Sequence, residues 1–305
     1  MTSLYSLGKW VVLLAFALLS ACQPATTEQP LKYQSAPAPG SLPHYRLAVH
    51  PLSNPRLLSA AYQPLVDYLN SALTDSQLTL ETSRDYPAFE EKFAQREPAF
   101  LLPNPWQTLQ AIKRGYQVIA MAGDPQDFRG IFLVRRDSDV RRPSDLKGKR
   151  VSYPAATALA ACIMPQYFLH TQGVAVMRDT QSLYVGSQES SIMNVYLGDT
   201  AAGATWPPSW RQFQKDHPNV AAELQVIWQT ESLINNSVMV RDDVPAQVRD
   251  QVQMSLLGLT QTSAGQAILA NMATAAFYPA SNSSYDAVAR YVERFEREVR
   301  TLERR

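Results

Sequence analysis

Cysteine is almost missing from this chain, which has two in 305 residues, Cys22 and Cys162. With Cys22 in the leader described below, Cys162 has no partner for an intramolecular disulfide, so packing alone must hold the fold even in an oxidising compartment. Histidine is scarce too. His44, His50, His170 and His217 are scattered without ligand spacing, which argues against a metal centre. Neither sign of charge dominates: 28 basic residues face 27 acidic ones for a formal net +1, so nothing points to nucleic acid. No internal repeat is visible. A Ser-His-acid set, a paired-carboxylate signature and a phosphate-binding glycine loop are all missing, and no cofactor is implied, so the sequence argues against an enzyme. Cys162 sits in A-A-C-I-M with no adjacent base and reads as a buried structural thiol.

Long apolar runs are also lacking. The run Trp10–Leu19 falls well short of the roughly 20 residues a membrane span needs. It follows Lys9 and closes on Leu19-Ser20-Ala21-Cys22, which is a lipobox. Residues 1–21 therefore read as a lipoprotein signal peptide and Cys22 as the acylated residue of a membrane anchor. The alternative is a buried cysteine behind an ordinary signal. Gln23 stands where an aspartate would otherwise direct retention, as in lipoproteins sent to the outer membrane of Gram-negative bacteria. Residues 22–43, rich in Pro, Ala, Thr, Ser and Gln, read as a flexible tether.

The remaining 260 or so residues suit one large or two medium domains with a real core. Short apolar strands alternate with helical periods. Tyr45–His50 precedes a helix carrying Leu57, Ala61, Leu65, Leu69 and Leu73 at four-residue spacing, with Pro64 kinking it or opening its second half. Leu78–Thr82 leads through Asp85-Tyr86-Pro87 into another helix, and this rhythm predicts a parallel sheet covered by helices. Further on, Trp206-Pro207-Pro208-Ser209-Trp210 reads as a break after the strand Thr200–Thr205. Arg142–Pro165 combines a capped turn, a basic Lys147-Gly148-Lys149-Arg150 loop, a strand Val151–Tyr153 and a small-residue segment that opens a helix. That order is the recipe for an anion cradle, because backbone N–H groups and the positive dipole end face whatever lies in front. Yet Ala155–Ala161 offers a single hydroxyl, that of Thr157.

Several stretches, in order, resemble the periplasmic phosphonate/phosphite/phosphate-binding proteins of ABC transporters. They are A-V-H-P-L-S-N-P at Ala48–Pro55, Q-P-L-V-D-Y-L at Gln63–Leu69, R-D-Y at Arg84–Tyr86, S-D-L-K-G-K-R-V at Ser144–Val151 and V-M-V-R-D-D-V-P at Val238–Pro245. The resemblance implies an α/β, two-lobed type 2 periplasmic-binding-protein fold with two crossing hinge strands near Gly130–Arg135 and Ser237–Arg241. Lobe one would comprise 44–130 and 241–305, lobe two 131–240, with a small ligand held between them.

Carried over residue by residue, the resemblance keeps an aromatic at Tyr86 and loses a second one at Leu102, leaving Asn104 close by. The family's Ser-Thr-Ser loop falls on Ala158-Leu159-Ala160, with Thr157 beside it. Its Gly-x-His-acid turn becomes Gly186-Ser187-Gln188-Glu189, and its ligand-contacting Asp becomes Asn236. Each lost charge-assisted contact removes about 1–3 kcal/mol, so tight phosphonate binding is not expected. Tyr153, Trp206 and Trp210 add aromatic character near strand ends, and Arg129 offers one positive charge, each weighed against a packing or ion-pair role. The expected ligand site is Tyr86, Asn104, Arg129, Tyr153, Thr157, Ser187, Gln188, Glu189, Trp206 and Asn236. The expected partners are an oxyanion or less charged metabolite and either an ABC permease or a membrane sensor such as a histidine kinase or diguanylate cyclase. The protein would act as a lipid-anchored periplasmic monomer. A degenerate module that binds no solute and offers only an interaction surface is the third class.

Overall fold

A computed structural model describes residues 42–302, so the signal peptide, Cys22 and most of the tether lie outside the described residues. Within 42–302 the strands form two sheets. The first holds six strands and the second five.

In the first sheet β1 (His44–Val49) lies parallel to β2 (Gln77–Glu81) and β3 (Phe100–Leu102). β10 (Ser237–Arg241) runs antiparallel to β3 and to β4 (Tyr116–Ala122), and β11 (Phe277–Tyr278) closes the edge antiparallel to β4. In the second sheet β6 (Arg150–Tyr153) is parallel to β7 (Gln181–Tyr184) and β8 (Ala202–Thr205), while β5 (Ile131–Arg135) runs against β8 and β9 (Leu224–Gln229). Both sheets are therefore mixed, the expected parallel arrangement holding for β1 with β2 and β3 and for β6 with β7 and β8. The reversal falls on the strands that the chain enters on crossing between sheets.

The crossings themselves lie at 123–130 and 230–236. They hold each other: Leu233 N donates to Phe128 O at 2.9 Å, Thr230 N to Gly130 O at 2.9 Å, and Asn235 Nδ2 to Asp124 O at 2.7 Å. Ser237–Arg241, expected at the hinge as the end of lobe two, is instead an inner strand of the first sheet. Its residues Ser237 to Val240 are all buried, as a strand covered on both faces requires.

Helices cover the sheets where local sequence allows. α1 (Pro55–Ala72) starts on Pro at its first turn with the Asn54 side chain accepting from Leu57 N at 3.1 Å. It continues through Pro64 as one helix and buries Leu58, Tyr62, Leu65, Val66 and Leu69. Of the expected stripe Leu65, Leu69 and Leu73 are buried, whereas Leu57 is exposed and Leu58 and Tyr62 take the inward positions of the first turns. α2 (Tyr86–Ala94), α3 (Pro105–Ile112), α4 (Met164–Thr171), α5 (Gln188–Tyr196), α6 (Pro207–Asp216), α7 (Ala246–Gly258), α8 (Ser263–Asn271) and α9 (Asp286–Glu298) follow. α6 occupies the segment expected to be a break, because prolines at the first helical positions begin a helix rather than end one. α9 buries Val288, Val292 and Phe295 in a three- to four-residue rhythm, each side chain contributing about 1.5–3 kcal/mol on burial.

Candidate functional site

Several helix starts follow directly from strand carboxyl ends and converge on the space between the sheets. Asp85 caps α2 by accepting from Ala88 N at 2.8 Å. Asn104 caps α3 by accepting from Gln107 N at 3.0 Å, and the Gln107 side chain accepts from Asn104 N at 3.0 Å. Ser187 caps α5 by accepting from Ser190 N at 3.0 Å, and Trp206 stands at the start of α6. In open α/β sheets this is where ligands collect, at strand carboxyl ends facing positive helix ends.

The two lobes touch across this space through named side chains. Gln188 Nε2 donates to Tyr86 Oη at 3.4 Å, while Gln188 Oε1 accepts from Thr205 Oγ1 at 2.8 Å. Thr157 Oγ1 donates to Glu90 Oε1 at 2.6 Å, and Asn104 Nδ2 donates to Thr157 O at 3.2 Å. The hydroxyl expected to meet an oxyanion thus meets a carboxylate of the chain itself. Burial pushes the Glu90 carboxyl above the usual carboxylate range, against the opposing pull of the hydrogen bonds from Thr157 and from Gln107 Nε2.

An inner compartment is lined by His50, Tyr86, Asn104, Gln188, Trp206 and Asn236 among others, with Ala158, Leu159, Ala160 and Ala161 forming its lobe-two wall. That wall opens as a wide π-type turn, Leu159–Ile163, rather than as a capped α-helix. It lies so close to the first crossing that a Cβ on Gly130 would sit 2.5 Å from Ala160 O. An outer compartment shares Leu52, Trp206 and Asn236, and adds Leu102, Asp124, Asp127 and Asn235.

Of the sequence-derived site residues, Tyr86, Asn104, Gln188, Trp206 and Asn236 line these spaces. Thr157 stands beside them through its bond with Asn104, and Ser187 directly precedes Gln188 as the cap of α5. The other three lie elsewhere. Glu189 turns outward, with an oxygen 3.3 Å from His217 Nε2, because consecutive helix residues point about 100° apart and Gln188 already faces the cleft. Tyr153 is wholly buried in the lobe-two core with Val151 and Cys162. Arg129 is half-buried in the first crossing and lines neither compartment. Trp210 packs on Phe213 at 5.9 Å. Cys162 is the buried structural thiol expected, burial pushing it up to about 12.

His50 and Glu90 were not expected in the site. His50 is 2 % exposed and lies edge-on to Tyr86 at 6.1 Å. Its Nδ1 sits 2.8 Å from Leu102 O, and since a carbonyl only accepts, Nδ1 carries the proton. Burial lowers this imidazole to about 4, so it is neutral at pH 7 with Nε2 as an acceptor. Among the described residues no group of three or more His, Cys, Asp or Glu could hold a metal ion, and no helix is long and apolar enough to cross a membrane.

Comparison with known proteins agrees with this architecture. Residues 47–285 match a family model described as "ABC transporter, phosphonate, periplasmic substrate-binding protein". A probable ABC transporter phosphite binding protein of Prochlorococcus marinus is 24 % identical over 135 residues, 42 % of this chain and 46 % of that protein. The match therefore spans less than half the length of that relative. The phosphate-import protein PhnD of Mycolicibacterium smegmatis is 22 % identical over 251 residues, 77 % of this chain and 76 % of its own. A binding protein component of an ABC phosphonate transporter from Pseudomonas aeruginosa superposes with a TM-score of 0.78 at 12 % identity, covering 85 % of this chain and 88 % of its own.

Proposed function

Because this chain belongs to the periplasmic phosphonate substrate-binding proteins of ABC transporters, we propose that it is a lipid-anchored solute-binding protein whose lobes close on a ligand other than a phosphonate. The observation that carries the reading is the Tyr86–Gln188 contact, where one group from each lobe meets at a space lined from both. The loss of phosphonate preference rests on Ala158, Leu159 and Ala160 in place of a hydroxyl-rich loop, and on Thr157 donating to Glu90. The fold does the work expected of a carrier rather than of a catalyst: the two crossings form a paired hinge, and a solute contacting both lobes shifts the population toward closure by its differential affinity.

A thermal-shift screen of the purified protein against oxyanions, phosphonates, and neutral or amine-bearing metabolites tests the reading. A solute at one hundred times its dissociation constant adds about 2.7 kcal/mol of stability. Tyr86→Ala is expected to abolish the shift. If the solute binds Tyr86→Ala as well as it binds the native chain, the cleft is not its site.

The anchor at Cys22 belongs to the same proposal and rests on the lipobox Leu19-Ser20-Ala21-Cys22. Cys22→Ser is expected to move the protein from the membrane fraction to the soluble periplasmic fraction, and retention on the membrane would refute the anchor. A second reading, presentation of the closed form to a membrane sensor, draws support from the direct contacts Glu90–Thr157 and Asn104–Thr157, which favour closure through the chain's own groups.

A further inference from the structure

We propose that the cleft takes a small amine-bearing cation, its ammonium group in the outer compartment beside Asp124 and Trp206 and its hydrogen-bond donors directed at Asn236 and His50. This inference rests on the solute-binding reading above and names the chemical class that the site selects. Charge is the first argument. No lysine or arginine lines either compartment, whereas Asp124 and Asp127 both line the outer one.

The two carboxylates are not equivalent. Asp127 is engaged by Arg211, which donates from Nη1 at 3.1 Å and from Nη2 at 2.7 Å. Asp124 accepts at Oδ1 from Gln126 N at 2.8 Å, leaving Oδ2 available to a ligand. The neighbouring amide of Asn235 is fully committed, its Nδ2 to Asp124 O and its Oδ1 to Asn236 N. A cation at the mouth therefore meets one free carboxylate oxygen, with the indole of Trp206 as an adjoining wall suited to a positive charge.

Independent of charge, the interior holds a buried acceptor that the chain leaves unmatched. Asn236 lines both compartments, is 4 % exposed, and its Oδ1 is buried with no hydrogen-bond partner. Leaving such a group unmatched is costly, and a ligand N–H or O–H satisfies it. His50 presents Nε2 as a second acceptor because its Nδ1–H is held by Leu102 O. An oxyanion in the same space would place lone pairs against these lone pairs, with no lysine or arginine side chain lining either compartment to offset its charge. Arg129 Nε is also buried without a partner, but Arg129 lines neither compartment.

Isothermal titration of the purified protein with putrescine, ethanolamine, glycerol, methylphosphonate and inorganic phosphate tests the inference. One of the amines is expected to bind at least tenfold more tightly than methylphosphonate, phosphate or glycerol. Asp124→Asn, a change at the cleft mouth that leaves the core untouched, is expected to weaken that binding about tenfold and to flatten its salt dependence. Asn236→Leu is expected to weaken it by a similar factor, with circular dichroism confirming the fold. Tighter binding of methylphosphonate or phosphate than of either amine overturns the amine class. If that binding is lost in Tyr86→Ala, the cleft still binds a solute, while the exclusion of phosphonates falls with the amine class. Glycerol binding as tightly as the amines, unchanged amine affinity in Asp124→Asn, or no binding of either amine overturns it as well.

Discussion

Lowering the pH from 7 to 4 is expected to cost the folded chain about 3 kcal/mol through His50 alone, and His50→Asn is expected to remove that slope. His50 is buried, neutral and lowered from 6.5 to about 4, so between those values the unfolded chain binds a proton that the folded chain does not. Its contribution to stability is present in full above 6.5 and is lost as pH falls toward 4. Asparagine keeps a donor for Leu102 O and has nothing to titrate, which makes it the clean comparison. Glu90 acts with the opposite sign. Its carboxyl is raised, so the stability it contributes is present below its unfolded value of 4.5 and is lost as pH rises through its folded value. Glu90→Gln keeps the Oε1 acceptor for Thr157 and Gln107, and is expected to stabilise the protein at neutral pH. Urea unfolding of the native chain and both variants, followed by tryptophan fluorescence from pH 4 to 8, separates the two limbs. An acid slope that survives in His50→Asn would show that His50 is not its source.

The fold was legible because the motif order carried it, and the local periods placed the strands Tyr45–His50, Leu78–Thr82 and Val151–Tyr153 within a residue of their observed bounds. What failed were the places where long-range packing overrides local pattern. Glu90 looks like any solvated helix glutamate, and its burial depends on Thr157, which is distant in sequence and joins it only when the lobes meet. His50 lay inside the quoted A-V-H-P-L-S-N-P stretch at the end of β1, where strand ends face the cleft, so a signal for it existed. Tyr153 was assigned to the cleft although the two-residue strand period puts it on the same face as Val151, a core residue. Gln188 and Glu189 show the complementary limit. Carried over from one motif, they diverge because a helix start rotates one inward and the next outward to His217. The reversed direction of β10 could not be read from Ser237–Arg241, since a strand buried on both faces shows the same apolar run in either direction.

Arg300→Ala is expected to loosen the closed form more than any single change inside the cleft. Arg300 follows α9, a helix packed on α3 against the first sheet, yet its guanidinium reaches the second lobe. Nε donates to Gln166 Oε1 at 2.8 Å and Nη2 to Ala156 O at 2.7 Å, and the group lies 5.2 Å from the Phe295 ring centre and 5.9 Å from that of Tyr184. Ala156 directly precedes Thr157, so this one side chain steadies the loop that meets Glu90 and Asn104. Truncation strands two part-buried acceptors at a cost of about 1–3 kcal/mol. For a domain of this size each kcal/mol lowers the melting temperature by about 2–4 °C. The contact spans the lobes, so part of the loss is expected as a shift toward separated lobes, visible as a larger radius of gyration in solution scattering. Tyr167 and Tyr291, edge to face at 5.2 Å, would remain as a weaker tie along the same seam. Arg300→Lys is expected to restore little, because a single ammonium cannot reproduce the planar fork that serves both acceptors. A scattering curve for Arg300→Ala identical to that of the native chain would show that Arg300 stabilises the fold without holding the lobes together.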